Sequence, residues 1–162
     1  MKNIISIMLI AAFGVMLVFT GCKEEEYTPE PLPMVTVSGQ VLTELDLTNA
    51  VAERVPAGTT IIFRINARDL VAVPIVGYAY QTLQYETTVG ADGTFTIQLP
   101  TVNFNAVPVE VVLNPFVKEQ TIAADNKKEM VFESSSNYNF TTTEGEDYYK
   151  VYVYDVFTIY EY

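Results

Sequence analysis

A single cysteine, no histidine and twenty carboxylates bound the chemistry open to this chain. Without histidine the usual proton shuttle and the commonest zinc ligand are missing. Beyond the first 21 residues the serines are Ser38, Ser134, Ser135 and Ser136, and none has a histidine to activate it as a nucleophile. Carboxylate pairs can hydrolyse glycosides when held about 5 to 9.5 Å apart, yet no pair here stands out from turn and surface positions. The densest oxygen cluster is Glu144-Gly145-Glu146-Asp147, a candidate calcium loop, with Asp92 and Asp125 or Asn126 as a second. Neither has the alternating D-x-D/N-x-D/N-G spacing that would make calcium a specific expectation. The reading is therefore no enzyme, no cofactor and no dedicated metal, with Glu144, Glu146 and Asp147 as the weak exception.

Cys22 stands where covalent chemistry of another kind is expected. Lys2 and the largely apolar stretch from Ile4 to Phe19 have the layout of a secretory signal, and Phe19-Thr20-Gly21 leads directly into the cysteine. The stretch is shorter than the roughly 20 apolar residues of a spanning helix, and charge follows at once. Gly21-Cys22 resembles the lipobox of bacterial lipoproteins, although Phe19 and Thr20 depart from its usual leucine and small residue. The resemblance implies removal of residues 1–21 and acylation of Cys22. At about 0.8 kcal/mol per buried CH₂, several acyl chains hold a protein durably to a membrane where one would not. Lys23-Glu24-Glu25-Glu26 then resembles the acidic export signal of surface lipoproteins in some Gram-negative bacteria, which implies an outer-membrane protein facing outward.

After that cleavage, 8 basic residues oppose 20 acidic ones, a net charge of −12. Such a body repels phosphate backbones, so nucleic acid is excluded as a partner. No disulfide can form with one cysteine, and the domain must be stable by burial alone. Tyr27-Thr28-Pro29-Glu30-Pro31-Leu32-Pro33 places prolines at alternate positions, which predicts an extended spacer holding the domain clear of the membrane. The expected organisation is signal peptide 1–21, anchor and linker 22–33, and a domain over 34–162.

From Met34 onward the hydrophobic period is two. Val35, Val37, Gly39 and Val41 share one parity, as do Ile61, Phe63 and Ile65, then Phe95, Ile97 and Leu99, then Val107, Val109, Val111 and Leu113. Successive side chains of a strand point to opposite faces, so each set predicts a strand with one face in a core. Gly90-Ala91-Asp92-Gly93 reads as the turn of a hairpin between residues 78–89 and 94–99. Pro56-Ala57-Gly58, Pro100, Pro115 and Asp125-Asn126 mark further corners, and residues 48–53 and 68–73 are read as brief helical turns. The fold class is all-β, a single sandwich of about seven to nine strands.

Val37-Ser38-Gly39-Gln40-Val41, Pro56-Ala57-Gly58-Thr59-Thr60-Ile61, and Thr87 through Gly93-Thr94-Phe95 resemble the motifs of carboxypeptidase-regulatory-like domains. That resemblance covers roughly residues 35–116 and implies a prealbumin-like (transthyretin-like, Ig-like) β-sandwich with no active site. Residues 66–86 are longer than the family's usual connection, and residues 118–162 extend past it. The tyrosine-rich run from Tyr148 to Tyr160 is expected to add one or two strands.

Within that run Tyr152, Tyr154 and Tyr160 share a parity opposite Val151, Val153 and Ile159. Tyrosine favours strands and packs across them, so the stripe reads first as structural, with one face on the sandwich, and these three tyrosines are the alternative, a partner or ligand surface. Tyrosine combines a flat apolar face with a polar tip, which suits recognition at a wet surface. The resulting expectation is a non-enzymatic, lipid-anchored surface lipoprotein serving as an interaction or assembly module for other surface proteins. The alternatives are a carbohydrate-binding lipoprotein of a polysaccharide-uptake system, and a fimbrial or adhesin subunit whose last strands pair with a neighbour.

Overall fold

A computed structural model describes residues 30–160. Cys22 and the segment Lys23, Glu24, Glu25 and Glu26 lie outside the described residues. Residues 32–162 form one compact unit.

The described residues build eleven strands: β1 (Met34–Thr43), β2 (Glu53–Arg54), β3 (Thr60–Asn66), β4 (Thr82–Thr88), β5 (Thr94–Pro100), β6 (Val107–Leu113), β7 (Phe116–Ala123), β8 (Asn126–Glu133), β9 (Phe140–Thr142), β10 (Tyr148–Tyr154) and β11 (Val156–Ile159). β2 and β9 are two- and three-residue fragments, and the other nine strands carry the fold. One 3₁₀ turn, Ala67–Leu70, stands where residues 68–73 were expected to coil, started by the Asn66 side chain accepting from the Arg68 N–H at 2.9 Å. The other expected coil, at 48–53, is instead a set of turns tied by Asp46 and Asn49, whose side chains accept from the backbone two residues on.

Two sheets form an all-β sandwich. In the first, β1 is central: β10 lies parallel along Val37–Thr43, while β5 and β2 share the opposite edge, both antiparallel. The second sheet runs β4-β3-β6-β9, antiparallel throughout. All four sequence-defined strand sets face inward: Val35, Val37 and Val41, then Ile61, Phe63 and Ile65, Phe95 and Leu99, and Val107 and Val109 are buried between the sheets. Alternation places them there because one parity of each strand has only the other sheet to face. Gly39 fits no side chain: a Cβ there would run into the Lys150 carbonyl and lie 2.9 Å from the Phe95 ring.

The Gly90–Gly93 segment is a tight turn, as its residues require, but it does not close a hairpin. β4 pairs with β3 and β5 pairs with β1, so the chain crosses between sheets at this corner. Asp92 accepts from the backbone N–H and hydroxyl of Thr94 at 3.2 and 2.8 Å, and Gly93 takes φ +75°. The hairpin expectation fails because turn chemistry fixes how sharply a chain bends and says nothing about which neighbour each arm bonds.

β7, β8 and β11 form a third, three-stranded sheet. It is fastened to the far end of β1, where Gln120 Nε2 donates to the Glu44 carbonyl at 2.6 Å and Thr121 exchanges backbone bonds with Leu45 and Leu47. Phe116 stacks on Phe132 at 4.8 Å and meets Tyr154 edge-on at 4.9 Å, so a second aromatic cluster joins this sheet to the sandwich.

Candidate functional site

The tyrosine run supplies both β10 and β11, and it sends them to different sheets. Tyr152 and Tyr154, the leading candidates for a partner surface, are each 1% exposed. Tyr152 stacks on Phe95 at 5.4 Å and packs against Phe63 and Tyr138. Tyr154 joins the Phe116 cluster and donates its hydroxyl to the Asn114 carbonyl at 2.7 Å. These two are core, as the structural reading of the stripe has it, and the alternative that they form a partner surface is corrected. Both parities of the run are apolar, so the pattern could not say which one faces the second sheet. Burial raises both phenols well above the usual tyrosine range. Of the three candidates only Tyr160 is exposed.

The residues that do face outward from β10 are Tyr149, Val151 and Val153, with Tyr149 66% exposed. The register sets them beside Ser38, Gln40 and Leu42 of β1; Ser38 and Gln40 in turn lie beside Thr96 and Thr94 of β5, Leu42 lies beside Arg54 of β2, and Thr36 is opposite Gln98. The outward residues of β1, β5 and β10 therefore form a continuous uncharged stretch, bordered at Leu42 by the exposed Arg54 of β2. Lys150 has the inward parity and swings over the Phe140 ring at 4.4 Å, off this face. The outer face of the second sheet is different in kind, carrying Arg64 and Glu110, 3.6 Å apart, and Glu86. At the free edge of β10 the Tyr138 hydroxyl donates to the Val153 carbonyl at 3.0 Å and accepts the Val153 N–H at 2.8 Å, a side chain standing in for a missing strand.

A second uncharged surface lies in the loop from Val71 to Gln81. No charged residue occurs between Asp69 and Glu86. Val73 is 81% exposed and Val76 100%, with Ile75 and Tyr78 exposed between and beside them. The loop is internally built: Ala67 N–H to Gln81 carbonyl closes its base at 2.9 Å, and Ile75 N–H donates to the Tyr80 hydroxyl at 2.8 Å. Tyr78 meets Tyr80 edge-on at 4.7 Å. The loop also lines a groove of about 300 Å³, with Arg68, Pro74, Ile75, Val76, Tyr78 and Tyr80 at its walls. Exposed contiguous apolar side chains on a compact domain mark an interaction surface. Read as a helical turn at 68–73 and a hairpin arm from 78, the sequence predicts no surface here; its signal is an apolar run with neither a two- nor a 3.6-residue period.

Glu144, Glu146 and Asp147 lie on an exposed turn with Gly145 at φ +79°. Glu146 accepts from the Tyr148 hydroxyl at 2.8 Å, which braces the turn. Among the described residues no three of histidine, cysteine, aspartate or glutamate gather closely enough to hold a metal ion. Asp155 accepts from the Ser135 N–H at 2.7 Å and the Ser135 hydroxyl at 2.6 Å, and these bonds hold its pKa below the usual range.

The fold thus defines the class, an all-β sandwich domain with an appended three-stranded sheet. No family model matches the chain, and no curated protein is similar to it.

Proposed function

We propose that this chain is a bacterial surface lipoprotein, exported by residues 1–21, acylated on Cys22 and directed outward by Lys23 to Glu26, whose β-sandwich is a non-enzymatic interaction module. The observation that carries the reading is the uncharged stretch of the first sheet's outer face formed by β1, β5 and β10, bordered by Arg54 of β2, on a body whose net charge is strongly negative. A surface with no charge to desolvate is cheaper to cover than the charged outer face of the second sheet, because burying unpaired charge is costly. Tyr149 and Val151 are the large side chains on it, and contact there removes apolar area from water at about 25 cal/mol per Å².

A photo-crosslinking residue at Val151, compared with one at Gln84 on the second sheet, tests the assignment on intact cells. A discrete adduct from position 151 and none from 84 supports it; no adduct from 151 in a folded protein removes it. Mass spectrometry of Cys22 tests the anchor, and protease access to cells carrying alanine at residues 23–26 tests the sorting role.

A glycan-binding reading draws support from Tyr149, an exposed ring flanked in register by the hydroxyls of Ser38 and Thr96. Retention on neutral polysaccharide, abolished by Tyr149→Ala, would select it. The fimbrial reading has less support, since β10 already pairs with β1 of its own chain.

A further inference from the structure

We propose that the Val71–Gln81 loop inserts into the lipid bilayer to which the chain is tethered. The choice of tether rests on the lipoprotein reading above, while the loop's own affinity for lipid can be measured without it.

Three observations favour lipid over a protein surface. First, the loop holds its apolar side chains out in water. Val76 at its tip is wholly exposed and Val73 nearly so, and four apolar side chains fan around one turn closed by Tyr78 N–H to the Ile75 carbonyl. A fluid hydrocarbon phase covers such a shape without a matching cavity.

Second, the composition is graded along the loop. Val73, Pro74, Ile75 and Val76 form the tip, Tyr78 and Tyr80 follow, and Arg68 and Asp69 lie at the base. Apolar residues in the acyl region with tyrosines at the headgroups is the order that a membrane interface selects.

Third, the loop sits at the end of the sandwich where the linker enters. Met34 opens β1 opposite Pro100, and the Thr101 N–H donates to the Pro33 carbonyl at 2.9 Å. Phe104, on the segment that follows, lines a groove with Val71 and Pro74. The linker and the apolar loop therefore leave the body at one end. Pro33 lies eleven positions after Cys22, a reach of at most about 40 Å even when fully extended. A tethered loop meets the membrane at high effective concentration, so an insertion too weak to bind alone is realised once the anchor holds.

Charge restricts the kind of surface. Glu144, Glu146 and Asp147 occupy the turn between β9 and β10 at this same end, Asp69 is at the loop base, and Arg68 is the cation beside it. Attraction is then hydrophobic, and zwitterionic headgroups are preferred to anionic ones.

The test uses the acylated chain in phosphatidylcholine vesicles carrying nitroxide on the acyl chains. With Cys22 acylated, Val76→Cys supplies the free thiol for an environment-sensitive fluorophore, and Lys128→Cys on the third sheet supplies the control. The Val76 label should be quenched at least twofold more than the Lys128 label. Exchange of one third of the lipid for phosphatidylglycerol should reduce that quenching. Equal, weak quenching at both positions on vesicle-bound protein overturns the proposal, whatever protein the loop meets elsewhere. If wild-type Cys22 reacts with the dye, it is the lipoprotein reading that fails. The loop is then tested in the compact unit 32–162, which contains every strand of the fold. Flotation with phosphatidylcholine vesicles, reduced tenfold by serine at Val73, Ile75 and Val76 together, sustains the proposal there; no flotation overturns it.

Discussion

Phenylalanine at Tyr152 and at Tyr154 should move stability in opposite directions, although the two side chains are equally buried and two residues apart. The Tyr152 hydroxyl is buried with no hydrogen-bond partner, whereas the Tyr154 hydroxyl donates to the Asn114 carbonyl at 2.7 Å. Leaving a polar group buried and unpaired costs about 1–3 kcal/mol, so Tyr152→Phe removes a penalty and should stabilise by about 1 kcal/mol. Tyr154→Phe loses a bond worth about 1 kcal/mol and strands a carbonyl, so it should destabilise by about 1–2 kcal/mol. Urea unfolding at pH 7 reads both. Alkali reads the same pair independently. Burial raises both phenols above their unfolded value of about 10. Above that pH the unfolded chain loses two protons that the native chain keeps, so stability is full below about pH 10 and falls as pH rises toward the folded values. Each group contributes a slope of about 1.4 kcal/mol per pH unit, about 2.7 for the pair. Either single variant should halve that component. Partial burial also raises Tyr85 and Tyr148, and since every variant retains them the difference between variants isolates the pair. A Tyr152→Phe protein less stable than wild type by 1 kcal/mol, or an alkaline slope unchanged by both substitutions, would refute the burial argument.

Gly39→Ala should cost about 1–3 kcal/mol by overpacking, because the new methyl meets the Lys150 carbonyl and the Phe95 ring; a thermal melt within 1 °C of wild type would contradict the close approach of β1 and β10. Val76→Asp should leave unfolding free energy within about 0.5 kcal/mol of wild type, as a fully exposed side chain has no packing to lose. Should it unfold the domain, the loop is structural and its role as a surface falls. Ser135 holds the Asp155 pKa down, so this carboxylate adds stability above its unfolded value near 4 and loses it as pH falls through the lower folded value. Asp155→Asn should therefore flatten the acid limb of a pH–stability curve below pH 4, and an unaltered limb would show that Ser135 does not act on it.

Alternation and turn chemistry are local properties, and by themselves they determined the all-β class, the inward sets of β1, β3, β5 and β6, and the corners at Gly58 and Gly93. Those residues report their conformation because one parity is plainly apolar or because the backbone needs positive φ. Pairing is not local. That β10 lies parallel beside β1, more than a hundred residues away in sequence, and that β4 and β5 part company at the Gly90–Gly93 corner, depend on which edges are free when the chain collapses. The same limit explains the tyrosines: with apolar residues on both parities, only the position of the second sheet decided that Tyr152 and Tyr154 turn inward and Tyr149 and Val151 turn out. The Val71–Gln81 loop makes the point from the other side. Its composition matches a core segment, and only the assembled sandwich, with its interior already filled by other strands, left those side chains in water.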